Sequence, residues 1–247
     1  MSDPGLRPAY VLHRRPYRES SLLVELLTRD EGRVGVVARG ARQKRGRDAL
    51  EPFVELLARW RVRGDLGQLH HAEAVASSPR PQGRALYSGF YLNELLMRML
   101  RRHDPHPELF ACYAETLSAL AGPAHDLALE VELRLFEARL LEACGYGLEL
   151  RVDAVSGAPL DPDGLYRYEP ELGPVASDGA ARGGLLVHGR ALHALAAGRL
   201  ESRDDLRELK SLLRGLLAPH LGPRPLASRA LFRAGRGVTT AASDGAA

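Results

Sequence analysis

The chain has 247 residues, of which 45% are hydrophobic and 26% charged, with a net charge of +3. Enough apolar residue is present for a packed core, and the length favours two compact units over one. No stretch approaches the roughly 18 consecutive apolar residues of a membrane span, and the opening MSDPGLRPAY has no charged-then-apolar signal pattern. Cys112 and Cys144 fall in helical-looking segments without a CxxC partner, which argues against a disulfide framework or a cysteine zinc site. A soluble cytoplasmic protein is expected. Its charge is uneven: residues 1–80 hold 15 Lys and Arg against 10 Asp and Glu, a balance of +5, so the remainder carries about −2. An anionic partner is therefore expected at the first third, where nearly all the cations are arginine, the side chain suited to forked contacts with phosphate.

Residues 9–76 read as short strands between turn residues. Ala9 to Leu12 is the first, closed by Arg14-Arg15-Pro16. Ser20 to Thr28 follows, with Leu22, Val24 and Leu26 on one face, and Arg29-Asp30-Glu31-Gly32 turns the chain into Arg33 to Ala38. From 39 to 47 the sequence becomes a loop carrying Arg39, Arg42, Lys44, Arg45 and Arg47, with no acid until Asp48. Such a run repels itself and suits a polyanion, whose condensed counterions it releases. Phe53 to Arg63 alternates: Val54, Leu56, Ala58, Trp60 and Val62 face a core, Arg59, Arg61 and Arg63 face out. Gly64-Asp65 turns into a last strand, about Gly67 to Val75. Five short strands with one long polar connection suit a closed barrel of the OB type, a frequent oligonucleotide binder.

SSPRPQG at 77–83 marks a boundary, after which the period becomes helical. Arg84 to Arg102 is apolar over most of its circumference, and Glu108 to Ala121 and Leu127 to Cys144 are amphipathic. Residues 148–189, rich in glycine and proline, read as an irregular insert. Arg190 to Ala197 and Asp204 to Leu217 return to helix, a short segment from Ser228 to Ala234 closes the fold, and residues 236–247 read as a disordered tail. The expected class is α+β: a barrel over 1–80 and an all-α helical domain over 81–235 with its insert.

Catalytic patterns are missing. Gly40 to Gly46 lacks the spacing and the Lys-Ser/Thr pair of a phosphate loop, no GxSxG elbow occurs, and His103 and His106 lie in a proline-broken loop without HExxH. His70 and His71 are adjacent on a strand, where neighbours face opposite sides, so they do not chelate one ion together. Asp161, Asp163 and Gly164 form a calcium-loop fragment without its later Glu. Binding is better supported. Arg14, Arg15 and Arg18 flank Tyr17, the basic loop adds five cations, and Arg59 and Arg61 extend the positive surface. A positive groove with an aromatic platform, here Tyr17, holds single strands without reading sequence. An OB-type RNA-binding module fits the same residues, and a metal-dependent nuclease is disfavoured by the absence of a carboxylate cluster.

The stretch YVLHRRPYRESSLLVELLTRDEGRVGVVARGAR resembles the opening of the RecO family of bacterial recombination mediators. So do ALEPF at 49–53, LYSGFYLNELLMRML at 86–100, LRLFEARLLEACGYG at 133–147, YRYEPELG at 166–173 and LGPRPLASRALFR at 221–233. The resemblance implies an OB barrel joined to a helical domain. It implies ATP-independent binding of single- and double-stranded DNA, annealing of complementary strands and, with RecR, help for RecA in replacing the single-stranded-DNA-binding protein SSB. It places DNA contacts at Arg14, Arg15, Arg18, Arg39, Arg42, Lys44 and Arg45. It also places an SSB-tail site on the helix carrying Arg134, Phe136 and Leu140, an arginine for the terminal carboxylate beside an apolar socket. No cofactor is implied, and a nucleoid-associated location is. Many relatives hold zinc through four cysteines in the insert. Here Asp153 and Ser156 stand at the first CxxC spacing and no cysteine follows Cys144, so a metal-free insert is expected.

Overall fold

The computed structural model describes residues 5–42, 50–75, 80–123, 125–177 and 184–232, apart from the Arg63 side chain. Five strands come first: β1 (Arg7–Tyr17), β2 (Ser21–Thr28), β3 (Gly32–Ala38), β4 (Glu55–Arg63) and β5 (Leu66–Ala74). They close into a barrel in the order β1-β2-β3-β5-β4, with β4 returning antiparallel to β1 and β3 running parallel to β5. The expected OB-type barrel is thus present. Its interior is filled by the alternating residues that the sequence assigns inward, among them Val24, Leu26, Val34, Val36, Leu56, Ala58 and Trp60.

Two local features differ from expectation. β1 does not stop before Arg14-Arg15-Pro16. Pro16 pairs with Leu22 and Tyr17 with Ser21, and the chain reverses at residues 18–20 instead. Proline's fixed φ is compatible with an extended strand, while Arg18 takes the left-handed φ of 53° that the reversal requires. β2 is buried along its whole length, not on one face only. Its outward side, and that of β1 around Ala9 to Leu12, is covered by helices. Tyr10 of β1 packs on Phe110 and Tyr113, with ring centroids 5.5 and 5.2 Å apart.

Those helices are α1 (Gly83–Met99) and α2 (Pro107–Ala121). The amide of Asn93 donates to the carbonyls of Leu12 (2.9 Å) and Val11 (3.4 Å), and the Tyr113 hydroxyl donates to Asn93 Oδ1 at 2.5 Å. Leu12 is skipped in the β1–β2 register, so a bulge presents its carbonyl to the helix. α1 ends three residues short of Arg102, because Arg102 forms a bridge with Arg33 and an ion pair with the buried Glu25. Tertiary pairing outweighs helix propensity there. Barrel, α1, α2 and the chain from Arg224 to Phe232 form one compact unit. That returning segment is held by Glu94 of α1, which accepts from the amides of Ala227 and Ser228 and from the Ser228 hydroxyl. Burial pushes the Glu94 carboxyl up, but these donors and Arg98 outweigh it and hold it below the ordinary range.

The second unit, residues 124–223, contains α3 (Asp126–Ala143), β6 (Leu165–Glu169), β7 (Gly173–Ala176), β8 (Leu185–His188), α4 (Gly189–Ala197) and α5 (Arg203–Leu217). Ser202 caps α5 by accepting from the Asp205 amide. The insert is more regular than its composition suggests: β6 pairs with β7 and β8 in a three-stranded sheet. Alternating Tyr166 and Tyr168 supply its buried face. β8 packs on α5 so closely that a Cβ at Gly215 would collide with Leu185, which explains a glycine inside a helix. The segment expected at 228–234 is helical over 228–232, and the tail after it lies outside the described residues.

Candidate nucleic-acid interface

The β1–β2 turn, the end of β3 and the β4–β5 turn converge on one cleft of about 780 Å³. Its walls carry Tyr17, Arg18, Glu19, Arg39, Arg61 and His70, and Ser20, Ser21, Val37 and Leu66 to Gln68 complete the lining. In OB barrels this is the strand face and loop pair that take oligonucleotides. Local structure aims each group. Arg39 follows the last residue of β3 and Arg61 sits near the end of β4, so both project where their strands run out. Arg18, in its left-handed turn, places its guanidinium 5.3 Å from the centre of the Tyr17 ring. A cation and a π surface thus stand side by side.

Of the residues that the sequence singles out, the structure brings Tyr17, Arg18, Arg39 and Arg61 together. Arg42 stands at the rim in a different role: its Nη1 donates to the carbonyls of Arg18 (3.1 Å) and Glu19 (2.7 Å), and its amide donates to Ser20. It pins the turn that presents Arg18. Arg14 is turned aside, donating to the Leu50 carbonyl and pairing with Glu51 at 2.6 Å. Arg15 is exposed on β1 away from the cleft lining, and Arg59 is half-buried with an interaction inside the chain. Lys44, Arg45 and Arg47 lie outside the described residues.

Glu19 and His70 are lining residues with ionisable side chains that the sequence did not assign to nucleic-acid binding. Glu19 is the one carboxylate lining this cleft among the described residues. His70 enters through a register shift that strand alternation does not reveal. Trp60, expected in the core, is 1% exposed. Arg7 stacks over its indole at 3.6 Å and its Nε1 donates to Glu31.

In the second unit, Arg134 is 4% exposed and its Nε and Nη2 donate to Glu137 at 2.7 and 2.6 Å. Phe136 and Leu140 are fully buried. These three side chains organise α3 from within, and the Arg134 charge is matched by Glu137. On the same helix, Leu135, Ala138, Arg139 and Glu142 line a cleft of about 510 Å³ with Leu148, Glu149, Leu150, Arg151 and Leu195, and Arg139 pairs with Glu142 at 2.9 Å.

The insert tests the zinc question. Asp153 Oδ1 accepts from the amides of Val155 and Ser156 and from the Ser156 hydroxyl, while Oδ2 accepts from the Ala176 amide. Those bonds, the Ser156 ones foremost, hold the Asp153 carboxyl down to about 2. A carboxylate already engaged by four donors, in a sequence without later cysteines, does not fit a thiolate zinc site. Among the described residues no group of three or more His, Cys, Asp or Glu is placed to hold a metal. No described helix is long and apolar enough to cross a membrane.

Comparison with known proteins accords with this architecture. The family description "Recombination protein O N terminal" matches residues 4–78, and "Recombination protein O C terminal" matches residues 80–230. "DNA repair protein RecO" of Methylococcus capsulatus is 50% identical over 236 residues, covering 94% of this chain and 95% of that protein. The protein of the same name from Alkalilimnicola ehrlichii is 51% identical over 231 residues, covering 92% and 90%. That from Pseudomonas aeruginosa is 46% identical over 234 residues, covering 94% and 96%. With both halves matched and half of its residues shared with full-length relatives, the chain belongs to the RecO (recombination protein O) family.

Proposed function

We propose that this protein is a DNA repair and recombination mediator that binds single- and double-stranded DNA through the barrel cleft and anneals complementary strands. With RecR it helps load RecA onto SSB-coated single strands, in the cytoplasm and at the nucleoid, without catalysing a covalent step itself. The observation that carries this reading is the meeting of Arg18, Arg39 and Arg61 beside Tyr17 at the oligonucleotide-binding end of an OB barrel. Three fixed cations against one carboxylate attract phosphate of any sequence, and the ring offers a sequence-tolerant stacking surface. Complementary strands repel each other, and a surface that neutralises one lowers the barrier to meeting the second. Arg15 adds an exposed cation on β1 outside the cleft lining, while Arg14, Arg42 and Arg59 support the barrel around it.

The family models divide at residues 78–80, and in this reading residues 1–80 grip DNA while residues 81–235 serve partners. The SSB tail docks on α3. The buried Arg134, Phe136 and Leu140 shape the helix, and the neighbouring cleft receives an apolar side chain on its leucine walls and the terminal carboxylate at Arg151, since Arg139 is paired with Glu142.

The test is binding and annealing of labelled oligonucleotides by the full chain and by an Arg18→Glu, Arg39→Glu, Arg61→Glu variant, with matched RNA as competitor. Loss of both activities in the folded variant supports the reading. Unchanged affinity refutes it, and preferential displacement by RNA turns it to an RNA-binding role. Capture of intact SSB but not of SSB lacking its last residues tests the partner site.

A further inference from the structure

Residues 69–71 of β5 do not follow simple alternation. Arg59 pairs with His71 and Trp60 with Leu69, so His70 is the extra residue of a β-bulge. Bulges re-aim side chains and concentrate beside functional sites. Both histidines are exposed here, yet they serve different surroundings. His71 lies 3.5 Å from Glu73, whereas His70 lines the barrel cleft and has no hydrogen-bond or ion-pair partner among the described residues.

We propose that His70 is a phosphate-binding residue whose imidazole takes up a proton as single-stranded DNA enters the cleft, so that affinity rises as pH falls through the histidine range. The inference rests on the nucleic-acid reading above and deepens it. The charged and titratable groups that line the cleft with His70, among the described residues, are Tyr17 of β1, Arg18 and Glu19 of the β1–β2 turn, Arg39 after β3 and Arg61 of β4. Arginine stays charged at every relevant pH. Carboxyl and phenol groups ordinarily change charge below and above the interval in which an imidazole does, which leaves histidine as the switching group of this set. A polyanion entering the cleft brings negative charge to the ring, and the protonated imidazole becomes a fourth cation on the phosphates. Binding and protonation therefore favour each other. One coupled proton steepens affinity by at most about tenfold per pH unit, and one more phosphate contact steepens the salt dependence on single strands by about 0.7.

The experiment uses the full chain and a fluorescein-labelled oligothymidylate, read by anisotropy near pH 6 and near pH 8, with His70→Gln, His70→Lys and His71→Gln variants. The wild type is expected to bind roughly three- to tenfold tighter near pH 6. His70→Gln should bind at both pH values as the wild type does near pH 8, and His70→Lys should bind tightly at both. His71→Gln should keep the wild-type dependence. DNA binding whose pH dependence is absent, or survives in His70→Gln, overturns the inference and leaves the nucleic-acid reading standing. Failure of the wild type to bind at either pH overturns that reading, and this inference with it.

Discussion

Replacing Arg39 and Arg61 together by alanine removes two of the three arginines from the cleft without touching the barrel core. Both are exposed, project from strand ends and have no ion-pair partner among the described residues, so the fold is expected to persist. Each cation withdrawn from a phosphate lowers the slope of log affinity against log salt by about 0.7 on single strands, so the double variant should be shallower by about 1.4. Between 50 and 200 mM salt, a fourfold change, the wild-type advantage should then shrink about sevenfold. The assay is anisotropy of a labelled oligothymidylate across that salt range, with circular dichroism confirming the fold. Arg29→Ala is the control: Arg29 is exposed and pairs with Asp30 in the β2–β3 turn, outside the cleft lining. A double variant with the wild-type slope, or an Arg29→Ala slope lowered equally, would refute the placement of DNA in this cleft.

Four further outcomes are expected. Arg42→Ala should weaken DNA binding and speed amide exchange at residues 18–20, because the turn loses the two carbonyl bonds that hold Arg18 in its left-handed conformation; weaker binding with unchanged exchange would mean that Arg42 acts on DNA directly. The Asp153 carboxyl, held down to about 2, gives the insert stability that is complete above the ordinary aspartate value near 4 and lost as pH falls from there toward 2. Asp153→Ala should remove that acid-sensitive component from pH-dependent melting, and a chelator should leave the wild-type midpoint unchanged, a large drop showing a structural metal. Asn93→Ala removes the donor to two strand carbonyls and the acceptor for Tyr113 inside a buried layer, costing about 2–3 kcal/mol in urea unfolding; a loss below about 0.5 kcal/mol would show that the helices do not depend on this bond set.

The cleft was only partly legible beforehand. Arg39 and Arg61 stand near strand ends that period-two alternation and the Gly64-Asp65 turn already mark, whereas Tyr17 and Arg18 reach the cleft because β1 runs on to Tyr17. Arg14 and Arg42 carry the same charge in the same stretch, yet one is pulled onto Glu51 and the other onto backbone carbonyls. Composition cannot separate these cases, because every arginine contributes equally to a local charge count.

The amino-acid sequence by itself determined the five strands, the hairpin at residues 29–32, the helices and the inward set around Trp60, since apolar periodicity is a property of neighbours along the chain. Only the tertiary structure decided that β1 runs through Pro16, that both faces of β2 are buried, that the insert pairs into a sheet with Asp153 at its hub, and that a bulge turns His70 into the cleft. The reason is separation: Arg14 and Glu51 are 37 residues apart, and Asn93 and Leu12 are 81 apart. Partners at such distances are chosen by the closed barrel and its covering helices, not by the residues beside them.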